Sequence, residues 1–237
     1  MRVLFFIPSF NDQQGLPQLI ESLLVTYPEA FVLVVDDGST PPLEISVPDP
    51  CDPMRVELIR LDFNVGLGLV TSVALDYFER GEFDVLIRLD ADGQHPVEGV
   101  EGMLRPLLLG HADVVWGERT NHLGGSSARA LMGSLTKQST AWVGQMVFRS
   151  QVKDWFTGFF AINRAAAAVA STAYLERYCE VQLLCIFHSQ KLRIHTHPVA
   201  QLERLHGQTT IRWADGIMIF LRSALMMVLY ALRMNPR

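Results

Sequence analysis

The sequence predicts an α/β fold with a mostly parallel central sheet, helices on both faces and a closing apolar helix, on three observations. Short apolar runs alternate with stretches of helical spacing from residue 2 to about 116, the pattern of successive βα units. Three of those runs end in acidic or small polar loops, at 8–12, 36–40 and 90–95. The run Val85–Leu89 is apolar at consecutive positions, broken only by Arg88, as in a strand buried on both faces.

In chain order, Arg2–Ile7 reads as the first strand, followed by the loop Pro8-Ser9-Phe10-Asn11-Asp12. Leu16, Leu19, Ile20, Leu23 and Leu24 recur at helical spacing and predict a helix from about Gly15 to Thr26. Phe31–Val35 is a second strand, ending in Asp36-Asp37-Gly38-Ser39-Thr40. Residues 41–53 hold five of the 12 prolines and read as an irregular surface loop. Met54–Arg60 alternates as a third strand, and Asn64-Val65-Gly66-Leu67-Gly68 opens a helix bearing Val70, Val73, Ala74, Tyr77 and Phe78. The central strand and the Asp90–Pro96 loop follow, then a helix at about 97–109 and a strand at Ala112–Trp116. Beyond Gly117 the alternation is irregular: a helix over Ser126–Arg149, a loop and short strand over Asp154–Arg164, two helical pieces within Ala165–Leu184, a late strand at Arg193–Val199 and a long apolar helix from Trp213 to Arg233. No linker is visible, so residues 1–237 read as one domain in two halves, 1–120 and 121–237, the second made of residues 121–212 and the apolar helix at 213–237.

Composition narrows the function. A hydrophobic content of 49% and a charged content of 19% describe a globular chain. A net charge of −5 speaks against broad electrostatic binding to nucleic acid, so a phosphate ligand has to be met by a few arginines or a metal. Cys51, Cys179 and Cys185 show no metal-ligand spacing and read as the thiols of a reducing compartment. The apolar run before Pro8 is too short for a signal-peptide core and is better explained by a first strand.

The chemistry gathers at residues 90–96. Asp90 and Asp92 leave the carboxyl end of the predicted central strand together, and Gln94 adds an amide oxygen. In open α/β sheets that edge is where ligands sit. Such an oxygen set suits Mg²⁺ or Mn²⁺ with room for phosphate oxygens. An Asp-X-Asp by itself is more often a solvated turn; two further polar loops expected on the same edge make that account the weaker one.

With these motifs in hand, the chain resembles family 2 glycosyltransferases of the GT-A fold, in particular the dolichyl- or polyprenyl-phosphate sugar synthase branch. The likeness rests on Ile7-Pro8-Ser9-Phe10-Asn11-Asp12, Val35-Asp36-Asp37-Gly38-Ser39, Asn64-Val65-Gly66-Leu67-Gly68, Asp90-Ala91-Asp92-Gly93-Gln94-His95, Asp154-Trp155-Phe156-Thr157-Gly158-Phe159 and Arg204-Leu205-His206-Gly207-Gln208-Thr209, spanning residues 3 to 212. The resemblance implies an inverting, metal-dependent transfer of a sugar from a nucleotide-diphosphate donor to a polyprenyl phosphate. Pro8, Ser9, Asn11, Asp12, Asp36, Asp37, Gly66, Asp90, Ala91 and Asp92 would bind the nucleotide sugar. Asp90, Asp92 and Gln94 would hold the metal. Arg119, Arg129, Asp154, Thr157, Gly158 and Arg204 would meet the phosphate or the acceptor. Two departures stand out: Asp12 replaces the usual glutamate, and Gln208-Thr209-Thr210 stands where the branch often has Glu-Ser-Lys, removing a lysine.

Glu180 lies where hydroxyl-using relatives carry a general base, so a glycan or small-molecule hydroxyl acceptor with Glu180 as base is the first alternative. Otherwise it is a helix-end carboxylate or an arginine partner. A nucleotidyltransferase and a non-catalytic nucleotide-sugar binder are rivals from other classes. His95 and His206 read as hydrogen-bonded loop residues. The stretch Gly216–Leu232 is apolar except for Arg222 and Ser223 and falls short of the ~20 residues that span a bilayer. Three roles are open to it: a helix in the membrane interface, a helix packed on the protein core or a second subunit in a homo-oligomer, and, last, a spanning helix. The expected setting is cytoplasmic, peripheral on the inner face of a membrane.

Overall fold

The computed structural model describes residues 2–12, 14–45, 47, 51–91, 93, 95, 97–120, 128–200 and 215–234, with the side chains of 128–132, 215, 216 and 234 outside that description. Among these residues the strands are β1 (Val3–Ser9), β2 (Phe31–Asp36), β3 (Val56–Arg60), β4 (Val85–Arg88), β5 (Val114–Arg119), β6 (Phe160–Asn163) and β7 (Ile194–Val199). The helices are α1 (Leu16–Thr26), α2 (Leu67–Arg80), α3 (Val100–Leu108), α4 (Ala128–Phe148), α5 (Arg164–Ser171), α6 (Cys179–Ser189) and α7 (Asp215–Met234). The strands form a seven-stranded sheet in the order β3-β2-β1-β4-β6-β5-β7. All neighbours pair in parallel except β6, which runs antiparallel between β4 and β5. The predicted α/β class and mostly parallel sheet are therefore observed.

Strand alternation sends successive side chains to opposite faces, and two cores result. Leu4, Phe6, Leu33, Val35, Leu86, Trp116 and Phe160 pack with residues of α2, α5 and α6. Phe5, Ile7, Val32, Val34, Ile87 and Val115 pack with α1 and α3. Beneath them, Leu16, Leu19, Ile20, Leu23 and Leu24 form the buried stripe of α1, as their spacing predicts.

Several boundaries move, for identifiable reasons. β1 runs on through Pro8 to Ser9, because the β1–β4 pairing ends at Phe6–Arg88. The N–H that proline lacks would have faced that unpaired side. β5 begins at Val114 rather than Ala112 and extends to Arg119, held by parallel pairing with β7 out to Val199. The helix expected at 97–109 opens with a 3₁₀ turn, Val97–Gly99, before α3. α5 is capped by Asn163, whose side chain accepts from the Ala166 N–H at 3.0 Å.

The C-terminal helix departs from a uniformly apolar rod. Met227 is buried in the core with Met226 and Tyr230 beside it, and α7 packs on α4 and α6. Arg222 leaves the apolar pattern to donate from Nε to Glu176 at 2.9 Å. Ile217, Met218, Leu221, Leu225, Val228, Leu229 and Leu232 are exposed. No helix among the described residues is long and apolar enough to cross a membrane.

Candidate active site

The chain leaves β1 outward to β2 and β3, then returns to β4 on the other side of β1. The loops after β1 and β4 thus diverge, opening a crevice at the carboxyl edge of the sheet. β5 runs in the same direction as β4, since both are antiparallel to β6. Ser9, Asp36, Asp90 and Arg119 accordingly lie at one edge.

The wall built by the first two loops is wired together by carboxylates. Asp36 is fully buried, and its Oδ1 accepts from the Ser39 N–H at 3.0 Å and from the Ser39 hydroxyl. Ser39 Oγ in turn accepts from the Asn11 N–H at 2.8 Å, and Asn11 Oδ1 accepts from the Thr40 N–H at 2.9 Å. Asn11 sits at φ 54°, where asparagine is tolerated better than most residues. Asp37 accepts from Asn64 Nδ2 at 2.8 Å and from the N–H groups of Val65 and Gly66 at 2.7 and 3.0 Å. Gly38 has φ +77°, and a Cβ there would come 2.6 Å from the Phe63 backbone. The two aspartates therefore clamp three loops into one surface, with Asp36 serving the loop itself rather than the open crevice. Pro8 and Ser9 end β1 beside it, Asp12 is half-buried, and Gly66, at φ +92°, lies under the Arg177 side chain.

Asp90 is the carboxylate at the mouth, its side chain 36% exposed. Oδ1 accepts from Arg88 Nη2 at 3.0 Å, and Oδ2 lies 3.3 Å from His95 Nε2. The His95 ring stacks on Phe159 with centroids 4.9 Å apart. Burial pushes the Asp90 carboxyl up, but the Arg88 guanidinium and the His95 hydrogen bond outweigh it and hold it well below the usual carboxylate range. Ala91 is buried behind it. Arg88 also donates from Nη1 to Glu180 Oε1 at 3.0 Å. Glu180 lies in the first turn of α6, where a helix N-terminus favours negative charge.

On the acceptor side, Asp154 is almost completely buried and receives two cations. Arg119 donates from Nε and Nη2, the latter at 2.8 Å to Oδ1, and Lys137 of α4 donates at 2.7 Å to Oδ2. Burial raises the Asp154 carboxyl, and these two cations more than reverse the effect. The Asp90 and Glu180 carboxylates also act on Arg119, so with Arg88 three cations face three carboxylates here. Thr157 is buried and accepts from the Phe159 N–H at 3.2 Å, fixing the turn that brings Gly158 beneath Asp90.

Sequence reasoning noted Arg88 only as an interruption and missed Lys137 altogether. A charge inside an otherwise apolar strand has to find a partner, and that was the available signal for Arg88. Nothing in the helical pattern of α4 marks Lys137. Asp92, Gln94 and Arg204 lie outside the described residues, as does the side chain of Arg129, whose backbone belongs to α4. Among the described residues no three His, Cys, Asp or Glu side chains cluster as a metal site. Asp90 offers a hard oxygen donor at the mouth whose remaining lone pairs suit Mg²⁺ or Mn²⁺.

A mostly parallel sheet with acidic and polar loops gathered at its switch point defines a GT-A transferase fold. Solved structures of glucosyl-3-phosphoglycerate synthase from Mycobacterium tuberculosis share it. One, in complex with Mn²⁺, UDP-glucose and phosphoglyceric acid, superposes with a TM-score of 0.66 at 15% identity over 97% of this chain and 79% of that one. The chain belongs to glycosyl transferase family 2, whose profile matches residues 5–169. It is 33% identical over 121 residues to the polyprenol monophosphomannose synthase of Mycolicibacterium smegmatis, covering 50% of this chain and 45% of that protein. Against the dolichol-phosphate mannosyltransferase of Pyrococcus furiosus it is 26% identical over 168 residues, 69% of this chain and 47% of that one. The chain spans about half the length of the curated relatives it matches.

Proposed function

We propose that this protein is an inverting, metal-dependent glycosyltransferase that moves one sugar from a nucleoside-diphosphate sugar to a polyprenyl phosphate. The observation that carries the reading is the occurrence together of the oriented Asp90 carboxylate and the two cations, Arg119 and Lys137, held on Asp154. The first suits a metal-bound diphosphate and the second an anionic acceptor. The relatives named for polyprenol, undecaprenyl-phosphate and dolichol-phosphate mannosyl transfer support the same acceptor class.

Asp90, together with Asp92 and Gln94, would hold the cation, and Mg²⁺ or Mn²⁺ there would supply Lewis-acid help to the departing diphosphate. The surface clamped by Asp36 and Asp37, with Pro8, Ser9, Asn11, Asp12, Gly66 and Ala91, receives the nucleoside. Arg119, with Arg129 and Arg204, directs an acceptor phosphate oxygen at the anomeric carbon. Lys137 adds a second cation beside Arg119 at Asp154. The new bond joins that oxygen to the anomeric carbon as the bond to the diphosphate breaks, and the diphosphate leaves with the electron pair, inverting the centre. The exposed apolar face of α7 rests on the cytoplasmic surface of a membrane, where the polyprenyl chain resides. An amphipathic helix with so many exposed large side chains is the kind that lies in such an interface.

The test is incubation with a panel of nucleotide sugars, Mg²⁺ or Mn²⁺, and a short-chain polyprenyl phosphate, following nucleoside diphosphate release and lipid product by mass. A sugar-phosphate-lipid from one donor is expected. Product on hydroxyl acceptors alone overturns the acceptor, pyrophosphate release makes the protein a nucleotidyltransferase, and donor binding without any turnover makes it a binder.

A further inference from the structure

Arg88 is a guanidinium in the middle of the protein. It is 2% exposed, on the strand at the centre of the sheet, with its Cζ 5.8 Å from the Phe160 ring centroid. A charge in that position is costly unless paired, and an apolar side chain of similar size usually packs at no loss of stability. Stability alone is thus a weak reason for an arginine here. Its two terminal nitrogens go to different carboxylates from distant parts of the chain. Nη1 bonds to Glu180 on α6, 92 residues away, and Nη2 bonds to Asp90, two residues on. The backbone between Arg88 and Asp90 continues the sheet, with the Leu89 N–H donating to the Phe6 carbonyl at 3.0 Å. Behind the Asp90 carboxylate, Gly158 leaves just enough space for it. The half-exposed carboxylate at the mouth is therefore fixed, through a rigid planar fork, to a buried one anchored in the first turn of a helix.

We infer that Arg88 is a positioning residue for the transfer reaction, presetting the Asp90 carboxylate toward metal and diphosphate, and that Glu180 is the anchor of Arg88 rather than a proton acceptor. This rests on the glycosyltransferase reading above and deepens it. A site whose Glu180 is bound to a guanidinium favours an acceptor that arrives with its own negative charge. That is the chemistry of a phosphate oxygen, which needs no base, and not of a hydroxyl.

Three variants test it. Arg88→Met combined with Glu180→Gln removes both buried charges, so the fold is not left with an uncompensated ion. Arg88→Lys keeps the charge but loses the fork. Glu180→Gln alone keeps the guanidinium and neutralises its anchor. Each is measured for melting temperature, for Mn²⁺ affinity in the presence of UDP and of GDP, and for kcat and acceptor KM. The double variant is expected to melt within a few degrees of the unaltered protein, to bind Mn²⁺ about 10- to 100-fold more weakly as losses around metal ligands do, and to keep its acceptor KM. Arg88→Lys should recover part of the affinity, and Glu180→Gln should weaken Mn²⁺ binding with a fall in kcat below about tenfold. Unchanged Mn²⁺ affinity and kcat in the double variant overturn the role of Arg88. A loss of about 10²- to 10⁴-fold in kcat for Glu180→Gln with Mn²⁺ affinity intact makes Glu180 the base and overturns the anchor assignment. If the unaltered protein binds no Mn²⁺ with either nucleotide, the glycosyltransferase reading fails and this one with it. Binding by the unaltered protein with unaffected variants defeats this inference alone.

Discussion

The Asp90 carboxylate lies directly over Gly158, so that a Cβ on residue 158 would overlap both of its oxygens. Gly158 is not in a left-handed conformation, so the glycine is required for space. Because the obstructed atoms are the far end of a side chain, alanine would push Asp90 aside without breaking the backbone. Gly158→Ala should keep the melting temperature within a few degrees while Mn²⁺ affinity and kcat fall about tenfold or more. Metal titration alongside thermal unfolding checks both halves.

Lys137 should matter for the acceptor and little for the fold. Its side chain is 29% exposed and Asp154 retains Arg119 without it. Lys137→Met is expected to raise the KM for polyprenyl phosphate about tenfold with donor KM unchanged, which steady-state kinetics with each substrate varied would read.

Removing Asp154 is the opposite case. Asp154→Asn leaves Arg119 and Lys137 facing each other with no full counter-charge, and losing one partner of a buried ion pair costs about 3–5 kcal/mol. Urea unfolding should show a loss of that order, at the low end because Lys137 reaches solvent.

His188 supplies a pH dependence. It packs against both Phe148 and Trp155, with ring centroids 5.2 and 5.8 Å away, and shares a 2.9 Å hydrogen bond with Ser150 Oγ. Burial pushes its pKa down to about 4. The unfolded chain takes up this proton near pH 6.5 and the folded one near pH 4. The associated stability is therefore complete above about pH 6.5 and lost as pH falls toward 4. Its size is about 3 kcal/mol. His188→Phe should flatten that part of the stability-pH curve, measured by denaturant unfolding at pH steps from 7 to 4.

The apolar face of α7 gives a third functional expectation. Leu221, Leu225 and Leu229 are exposed on it. Changing all three to serine should abolish sedimentation with phospholipid vesicles and leave the melting temperature unchanged. Retained vesicle binding would remove α7 as the membrane contact, and no binding by the unaltered protein would remove the membrane from the proposal.

The strands, the helices and the common edge of the acidic loops were readable because each depends on local periodicity and on turn residues at strand ends. The roles of individual side chains were less so. Asp36 and Asp37 are visible as turn residues, yet their use as clamps on Ser39 and on Asn64–Gly66 depends on loops up to 29 residues away. The Arg88–Glu180 bond joins residues 92 apart, beyond any local pattern. The direction of β6 was also hidden, since four apolar residues signal a strand but not its orientation. The extent of β5 is set by its partner β7 rather than by its own residues.

The antiparallel placement of β6 has a consequence for how the protein acquires its shape. β4 gains its second neighbour only when Phe160–Asn163 arrives, pairing Val85 with Asn163. The outer strand β7 then closes on β5 from residues 194–199. Pairings so far apart in the chain are slow to form, because a long loop has to close before any bond rewards it. During synthesis β1 to β4 can assemble early, but the flank of β4 that delivers Asp90 to Gly158 stays open until Phe160–Asn163 has emerged. Productive geometry is thus among the last things this protein gains, and slow refolding would show as native helix content well before nucleotide binding returns.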